Sequence, residues 1–468
     1  DYERVAEGTQ YTYNWYVDRS GEPAFRFNTN SRGTVIYIYA REEKKNGKLK
    51  WKKVRTIRVN RDDGNRETAT EFDPLFPGPT ETTYYVAARP EGEKTTGIYL
   101  YDFSKDEFIE TIKKDPVFDV DRAFFNLDTG EFMGTGYFQN RLTLEFKDPT
   151  IQANLNGLQE YFGENISIVP VQSARNGRVW LLKTFGPTDP GSYHSFDLDK
   201  AFVDMIGYNF FKLQDKALSD TQVIEYKARD GVPITGYLTR PADAKPGDKP
   251  PLIVMPHGGP EARDYLNFDF DVQMLTAYGY QVFQPNFRGS SGFGKDFADM
   301  GRRQWGKAMQ TDVDDGFQEL VSRGFADPEK ACIYGASYGG FAALFALTKT
   351  PDLYKCHISD AGVSDLLKML AWERKEEGWN SEAYTYWVEH IGDPKDDKAE
   401  IAAVSPVNNV STAKGPLLLI HGENDNVVPI EQSEFMEKAM KDAGADNIEI
   451  CETKGYPIVY AEKIIDIN

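Results

Sequence analysis

Cysteine, histidine and long apolar runs are all scarce in this 468-residue chain. Its three cysteines, Cys332, Cys356 and Cys451, each lie inside an apolar, strand-like segment. An odd number so placed is expected to be buried free thiols, not a disulfide framework. No Cys-x-x-Cys or His-rich spacing is present, so no metal is expected. No run of 18 uninterrupted apolar residues occurs, which excludes a membrane-spanning helix. Positive charge is also short, with 54 Lys and Arg against 73 Asp and Glu for a net charge of −19. That balance argues against nucleic acid and anionic membrane surfaces as partners, and simple solubility accounts for it. The chain begins at Asp1 without an initiator Met or a signal-peptide pattern, and inside what has the pattern of a repeat. The first residues of the natural protein are therefore expected to be missing, and cytoplasmic and periplasmic locations both fit.

What the first half has in quantity is aromatic and β-branched sequence. With 40% hydrophobic residues the chain can bury sizeable cores, and its length predicts two or three domains. Strand-like runs at Thr34–Tyr39, Leu49–Val54, Thr83–Ala87, Gly97–Asp102 and Phe108–Ile112 are separated by turns, with two looser runs at Phe132–Phe146 and Ile166–Phe202. A unit of roughly 45 residues with three or four short strands is the size of a propeller blade. Four such units and a stub at residues 1–15 predict an incomplete all-β propeller over residues 1–212. Because the repeats are weak, an irregular antiparallel sandwich is the alternative.

A boundary falls near 213–221. The hairpin signal Asp230-Gly231 follows, and the pattern then changes to alternating strands and helices. Leu252–Met255, Gln281–Phe283, Lys330–Tyr334, Lys355–Ile358, Pro416–Ile420 and Ile448–Cys451 are apolar strands of the kind buried on both faces. Helices are expected at about Asp312–Arg323, from Phe341 to Leu347 and over Glu431–Ala443, with an aromatic-rich helical insertion at Val363–Glu389. Residues 213–468 are thus expected to form a mostly parallel, doubly wound α/β sheet.

The chemistry gathers at the ends of those strands. Tyr334-Gly335-Ala336-Ser337-Tyr338-Gly339-Gly340 sits between a short buried strand and a helix apolar on every side, the context that makes G-x-S-x-G a nucleophile elbow. The glycines flanking Ser337 leave room for a turn that a Cβ would obstruct, so Ser337 is the expected nucleophile. An elbow serine needs a base and a carboxylate to orient that base. Asp425, just past the strand Pro416–Ile420, is the candidate carboxylate, with a loop-capping aspartate as the plain alternative. An oxyanion hole needs two backbone donors, expected to be the N–H groups of Tyr338 and of Gly259 in His257-Gly258-Gly259-Pro260. The plain alternative for that loop is a turn.

Taken together, G-x-S-x-G-G at Ser337, H-G-x-x-D-x-x-V-P at Asp425, the H-G-G-P loop, N-x-R-G-S-x-G-x-G from Asn286 to Gly294 and the β-rich repeats resemble the prolyl oligopeptidase family of serine peptidases. The acylaminoacyl-peptidase-like branch, which carries H-G-G-P, is the nearest in pattern. The resemblance is strong over about 221–455 and weak over the β-rich half. It implies an α/β-hydrolase domain preceded by a seven-bladed propeller that limits entry to short peptides. It further implies cleavage of peptides or N-acylated peptides through an acyl-enzyme on Ser337, with no metal or organic cofactor.

The family's catalytic histidine lies in a Gly-His-Gly-like loop after the last strand, and here Glu452 to Tyr460 contains none. The five histidines, His194, His257, His357, His390 and His421, all precede Asp425. Three explanations fit. The chain is an incomplete or altered copy that has lost the histidine loop, which is the expectation because its start has the same character; it is a pseudoenzyme that binds peptides; or a base from elsewhere substitutes. An esterase on the same fold is a further alternative, against which the propeller argues. Trp372, Trp379, Tyr384, Tyr386 and Trp387 of the insertion are candidates for an apolar substrate lining or for core.

Overall fold

The computed structural model describes residues 6–453 except 19, 32–34, 44–48, 59–71, 127–128, 175–176 and 380. It forms two compact units. One comprises Asp1–Gly157, Gly292–Lys295 and Glu377–Thr385; the other comprises Leu158–Ser291, Asp296–Glu376 and Tyr386–Asn468.

The first unit is built from three antiparallel sheets in succession. Strands β1 (Thr12–Val17), β2 (Pro23–Thr29), β3 (Val35–Glu43) and β4 (Leu49–Arg58) form the first, paired in chain order. The residues expected as a separate stub are therefore an edge strand of this sheet: β1 pairs with β2, from Thr12 opposite Asn28 to Val17 opposite Pro23. Strands β5 (Phe72–Pro77), β6 (Thr83–Ala88), β7 (Gly97–Asp102) and β8 (Glu107–Lys113) form the second. The third has β10 (Phe132–Phe138) between β9 (Arg122–Phe125) and β11 (Leu142–Phe146).

Alternation along β7 decides how these sheets stack. Successive side chains of a strand point to opposite faces. Tyr99 and Tyr101 pack with Phe25, Phe27 and Ile38 of the first sheet, whereas Ile98 packs with Val120 and Tyr137 on the side of the third. All six residues of β7 are buried in consequence. A middle sheet covered on both faces is how consecutive propeller blades pack; in a two-layer sandwich each sheet is covered once.

Helix α1 (Pro149–Phe162) leads to a fourth antiparallel sheet, β12 (Ser167–Ser173), β13 (Val179–Gly186), β14 (Asp189–Asp197) and β15 (Phe202–Tyr208), which lies in the second unit. There follow β16 (Thr221–Lys227), β17 (Pro233–Thr239), β18 (Leu252–Val254), α2 (Phe270–Ala277), β19 (Gln281–Asn286), α3 (Lys295–Asp299), α4 (Ala308–Ser322), β20 (Ala331–Ala336) and α5 (Tyr338–Lys349). The remainder is β21 (Cys356–Asp360), α6 (Leu366–Glu376), α7 (Glu382–Ile391), α8 (Lys398–Val404), β22 (Leu417–Gly422), α9 (Glu431–Asp442) and β23 (Ile448–Thr453). Their eight strands make one sheet in the order β16-β17-β19-β18-β20-β21-β22-β23. Only the pairings β16–β17 and β17–β19 are antiparallel. The fold is an α/β-hydrolase sheet preceded in sequence by propeller-type sheets.

Helix α5 shows why the sequence folds this way at the centre. Every residue from Tyr338 to Thr348 is buried, so the segment needs apolar or small side chains all round. Leu344 and Leu347 pack with Leu417, Leu419, Met436 and Met440 of β22 and α9.

The expectation of three buried free thiols is overturned. Cys332 and Cys356 are register partners on the adjacent parallel strands β20 and β21, with Cα atoms 4.7 Å apart, and they form a disulfide. Cys451, on β23, is free and exposed. Twenty-four residues separate the bonded pair in sequence, so only the strand register makes them neighbours.

Candidate active site

Ser337 occupies the junction between β20 and α5 with φ 56° and ψ −115°, a backbone conformation that L residues rarely adopt. Its N–H donates to the Asp360 carbonyl at the end of β21, 2.9 Å away. Although it stands at the N-cap of α5, its side chain makes no capping bond, so Oγ is not spent on the helix.

The neighbouring glycines make this turn possible. A Cβ on Gly335 would lie 2.5 Å from the Gly339 carbonyl carbon, and one on Gly340 would lie 2.6 Å from Gly362 Cα. One on Gly339 would collide with the Pro256 carbonyl oxygen. Elbow and H-G-G-P loop are thereby packed backbone against backbone. A Cβ on Gly258 would sit 3.5 Å from Ser337 Cβ, which puts that loop directly beside Ser337. Gly259 has φ 115°, a conformation glycine adopts freely. Neither the Gly259 nor the Tyr338 amide has a hydrogen-bond partner among the described residues. Two uncommitted donors beside an elbow serine are the raw material of an oxyanion hole.

The loop is fixed from behind by His257. Its Nδ1 is 2.7 Å from the Gly258 carbonyl and its Nε2 2.8 Å from Ser290 Oγ, while the ring stacks on Phe287 at 4.4 Å. Burial pulls its pKa down to about 4, so the ring is neutral at physiological pH.

Asp425 follows β22. Its side chain is almost fully buried, and Oδ1 accepts from the amides of Val427 and Val428 at 2.8 and 3.0 Å. Oδ2 lies 3.9 Å from His421 Nε2, beyond hydrogen-bond distance. His421 is committed elsewhere. Its Nε2–H donates to the Val428 carbonyl at 2.9 Å, and Nδ1 accepts from Ser433 Oγ at 2.7 Å. Burial holds this imidazole below its ordinary pKa.

None of the other three histidines hydrogen-bonds Ser337 among the described residues. His194 Nε2 contacts Thr184 Oγ1 at 3.1 Å in the fourth sheet, and His390 Nε2 contacts Glu261 Oε1 at 3.0 Å. His357 is buried in β21, where burial pushes its pKa down to about 4. Among the described residues no side chain hydrogen-bonds Ser337 Oγ. Of the stretch in which the resemblance places a histidine, Glu452 to Tyr460, residues 454–460 lie outside the described residues.

Sequence reasoning passed over Asp360. Besides receiving the Ser337 amide, it carries a buried carboxyl whose Oδ1 has no hydrogen-bond partner. Burial raises its pKa to about 7, helped by the charges of Asp271 and Asp425. The signal was present: like Asp425, it is an acid at the C-terminal end of a buried parallel strand. Of the insertion aromatics, Trp387 packs on Trp305, which in turn lies 4.7 Å from Tyr338 and 4.9 Å from Phe341. Tyr386 stacks on His390, Trp372 is half-buried and Trp379 is exposed, so the five do not share one role.

Residues 266–455 match the prolyl oligopeptidase family, Peptidase_S9. Dipeptidyl aminopeptidase BIII of Pseudoxanthomonas mexicana is 30% identical over 376 residues, covering 77% of this chain and 52% of that protein. The acylamino-acid-releasing enzyme of Arabidopsis thaliana is 27% identical over 214 residues, 45% of this chain and 28% of that one. The chain thus spans about half the length of the first of these relatives and less of the second. Among solved structures, a puromycin-hydrolysing peptidase of Mycobacterium tuberculosis superposes with a TM-score of 0.73 at 22% identity, over 97% of this chain and 67% of that one. The acylaminoacyl peptidase of Pyrococcus horikoshii does so with 0.64 at 22% identity, over 94% and 69%. These two likenesses establish the fold. With the matched segment running from the loop after H-G-G-P through the elbow to Asp425 and β23, the chain carries a domain of the prolyl oligopeptidase family.

Proposed function

We propose that this chain belongs to a serine peptidase that cleaves short peptides or N-acylated peptides through an acyl-enzyme on Ser337. The observation that carries the reading is the strained elbow at Ser337, with the uncommitted amides of Gly259 and Tyr338 beside it. In that reaction Ser337 Oγ adds to the scissile carbonyl, and the two amides receive the negative charge that develops on its oxygen. Asp425 orients an imidazole that takes the serine proton and returns it to the leaving amine. The chain's likeness to a dipeptidyl aminopeptidase, an acylamino-acid-releasing enzyme and a puromycin-hydrolysing peptidase supports short peptides, with or without a blocked N-terminus, as the substrate class.

A second reading is favoured by the histidines: His194, His257, His390 and His421 are each hydrogen-bonded to partners other than Ser337. On that reading the 468-residue polypeptide binds peptides and turns them over barely, because its serine keeps its proton. Loss of the histidine in a serine protease costs on the order of a million-fold in turnover. Labelling Ser337 with a fluorophosphonate and following peptidyl- and acyl-peptidyl-nitroanilide hydrolysis separates the two. The expected result is weak labelling and hydrolysis in the chain as it stands, both rising steeply when the polypeptide is extended to place a histidine in the loop after Cys451. Vigorous hydrolysis by the unextended chain, abolished by Ser337→Ala, would reveal another base. An extended chain that still fails to label would sink the peptidase reading.

A further inference from the structure

We propose that Glu261, clamped by His390, is a positioning residue for the oxyanion loop; the inference rests on the hydrolytic reading above. Glu261 follows Gly259 with only Pro260 between them, and the loop folds back tightly here. A Cβ on Gly259 would lie 2.8 Å from the Glu261 nitrogen and 3.0 Å from that of Ala262. Where the Glu261 side chain is held therefore bears on where the Gly259 amide points, from the side opposite the His257 contact with the Gly258 carbonyl.

The proton inventory of the clamp follows from its geometry. His390 Nδ1 is 2.8 Å from the carbonyl of Tyr386, one turn earlier on α7, and a carbonyl oxygen can only accept. Nδ1 therefore carries a proton. Nε2 faces Glu261 Oε1 at 3.0 Å, and an ionised carboxylate also only accepts. Both ring nitrogens thus face acceptors, and the Nε2 contact is a hydrogen bond to a carboxylate. Charge-assisted bonds of this kind are roughly twice as strong as neutral ones.

The surroundings agree with that assignment. The imidazole is 2% exposed and stacks on Tyr386 with centroids 3.8 Å apart. The Tyr386 hydroxyl also bonds Glu261, and the Arg302 guanidinium is close by. Burial pushes the Glu261 carboxyl up, yet the bond and charge of His390, with Arg302 and Tyr386, bring it below its ordinary range. The Gly259 amide shares its peptide with the Gly258 carbonyl, which His257 Nδ1 holds at 2.7 Å, and beyond Pro260 the Ala262 carbonyl accepts from the Ser291 amide at 2.9 Å. Glu261 is the side-chain anchor on the far side of Pro260. An oxyanion donor must be held to within about half an ångström, and an anchor on one side of the peptide leaves the other side free to shift it.

The test uses the whole 468-residue chain. Hydrogen exchange over residues 257–263 is compared in the parent, Glu261→Ala, Glu261→Gln and His390→Phe. Removing a hydrogen bond to a charged group should speed exchange of this segment about tenfold or more in Glu261→Ala and His390→Phe, and less in Glu261→Gln. The segments of β20 and α5 should stay protected. In parallel, in the polypeptide extended to place a histidine in the loop after Cys451, Ser337-dependent hydrolysis of a p-nitrophenyl ester should lose about tenfold in kcat in Glu261→Ala with KM unchanged, and Glu261→Gln should recover part of it. Unchanged exchange in the segment overturns the proposal, as does a rise in KM at constant kcat, which would make Glu261 a substrate contact. If ester hydrolysis by the extended chain proves insensitive to Ser337→Ala, the hydrolytic reading fails, and the exchange result still decides the clamp. If Glu261→Ala loses protection in β20 as well, it has misfolded and Glu261→Gln decides alone.

Discussion

Replacing Arg288 with methionine should lower the unfolding free energy by about 3–5 kcal/mol, because it strands a carboxylate inside the hydrolase unit. Asp312 is fully buried on α4 and Arg288 is 9% exposed. The arginine donates to Asp312 from its amide at 2.9 Å, from Nε at 2.8 Å and from Nη2 at 2.7 Å. Its other fork reaches Asp230, in the turn between β16 and β17, at 2.8 and 2.9 Å. Burial pushes the Asp312 carboxyl upward, and this guanidinium is what opposes the push. Methionine keeps most of the stem volume, so the loss is one of charge pairing and not of packing. The amide bond alone then faces Asp312. Asp230, half-exposed, is resolvated cheaply and should contribute little. Urea-unfolding curves followed by tryptophan fluorescence give the difference. The paired variant Arg288→Met with Asp312→Leu should regain most of it, since removing both charges relieves the stranded one. The effect should also reach the candidate site, because the same loop carries Phe287 and Ser290, which hold His257. A cost under about 1 kcal/mol for the single variant, or a paired variant worse than either single one, would refute the argument.

Three further outcomes are expected. Gly339→Ala drives a Cβ into the Pro256 carbonyl, backbone against backbone, so it should destabilise by at least about 1–3 kcal/mol and lower Ser337 labelling; a variant with the parent's stability and labelling would contradict the packing described. Gln432→Leu removes the acceptor of the Ser364 and Asp365 amides, 2.9 and 2.8 Å from its Oε1, and with two N–H groups left unsatisfied should cost about 2–4 kcal/mol by calorimetry or urea titration, whereas a neutral effect would show that another acceptor takes over. His357 is 1% exposed and its pKa is depressed to about 4. Its neutral form is the one the fold accepts, so between pH 6.5 and 4 the unfolded chain binds a proton that the folded chain does not, and stability falls as pH falls through that window. About 3 kcal/mol of acid lability should come from this site. His357→Phe should remove that amount from the stability difference between pH 7 and pH 4, and a variant as acid-labile as the parent would show that the ring is already charged or solvated.

The sharp turn at Ser337 and the glycine loop were legible in the sequence because each is a local matter. Gly335, Ser337 and Gly339 lie within five residues and announce a turn that only that composition permits, and the all-round apolar run behind them announces a buried helix. The blade-sized units were legible for the same reason, since strand length and turn chemistry are written in adjacent residues. Tertiary structure alone decided the pairings. Cys332 and Cys356 became bonded because two parallel strands align them, and a crossover connection hides that register from the sequence. Glu261 and His390 meet across 129 positions, and Asp312 on α4 reaches Arg288 in the loop after β19, where burial and not spacing makes a charge matter. Asp360 is ordinary as a residue type and becomes unusual because the fold buries its carboxyl close enough to Asp271 and Asp425 to feel their charges. Short-range sterics and hydrophobic periodicity are properties of the chain; the energy of a charge depends on its surroundings, which exist only once the chain has folded.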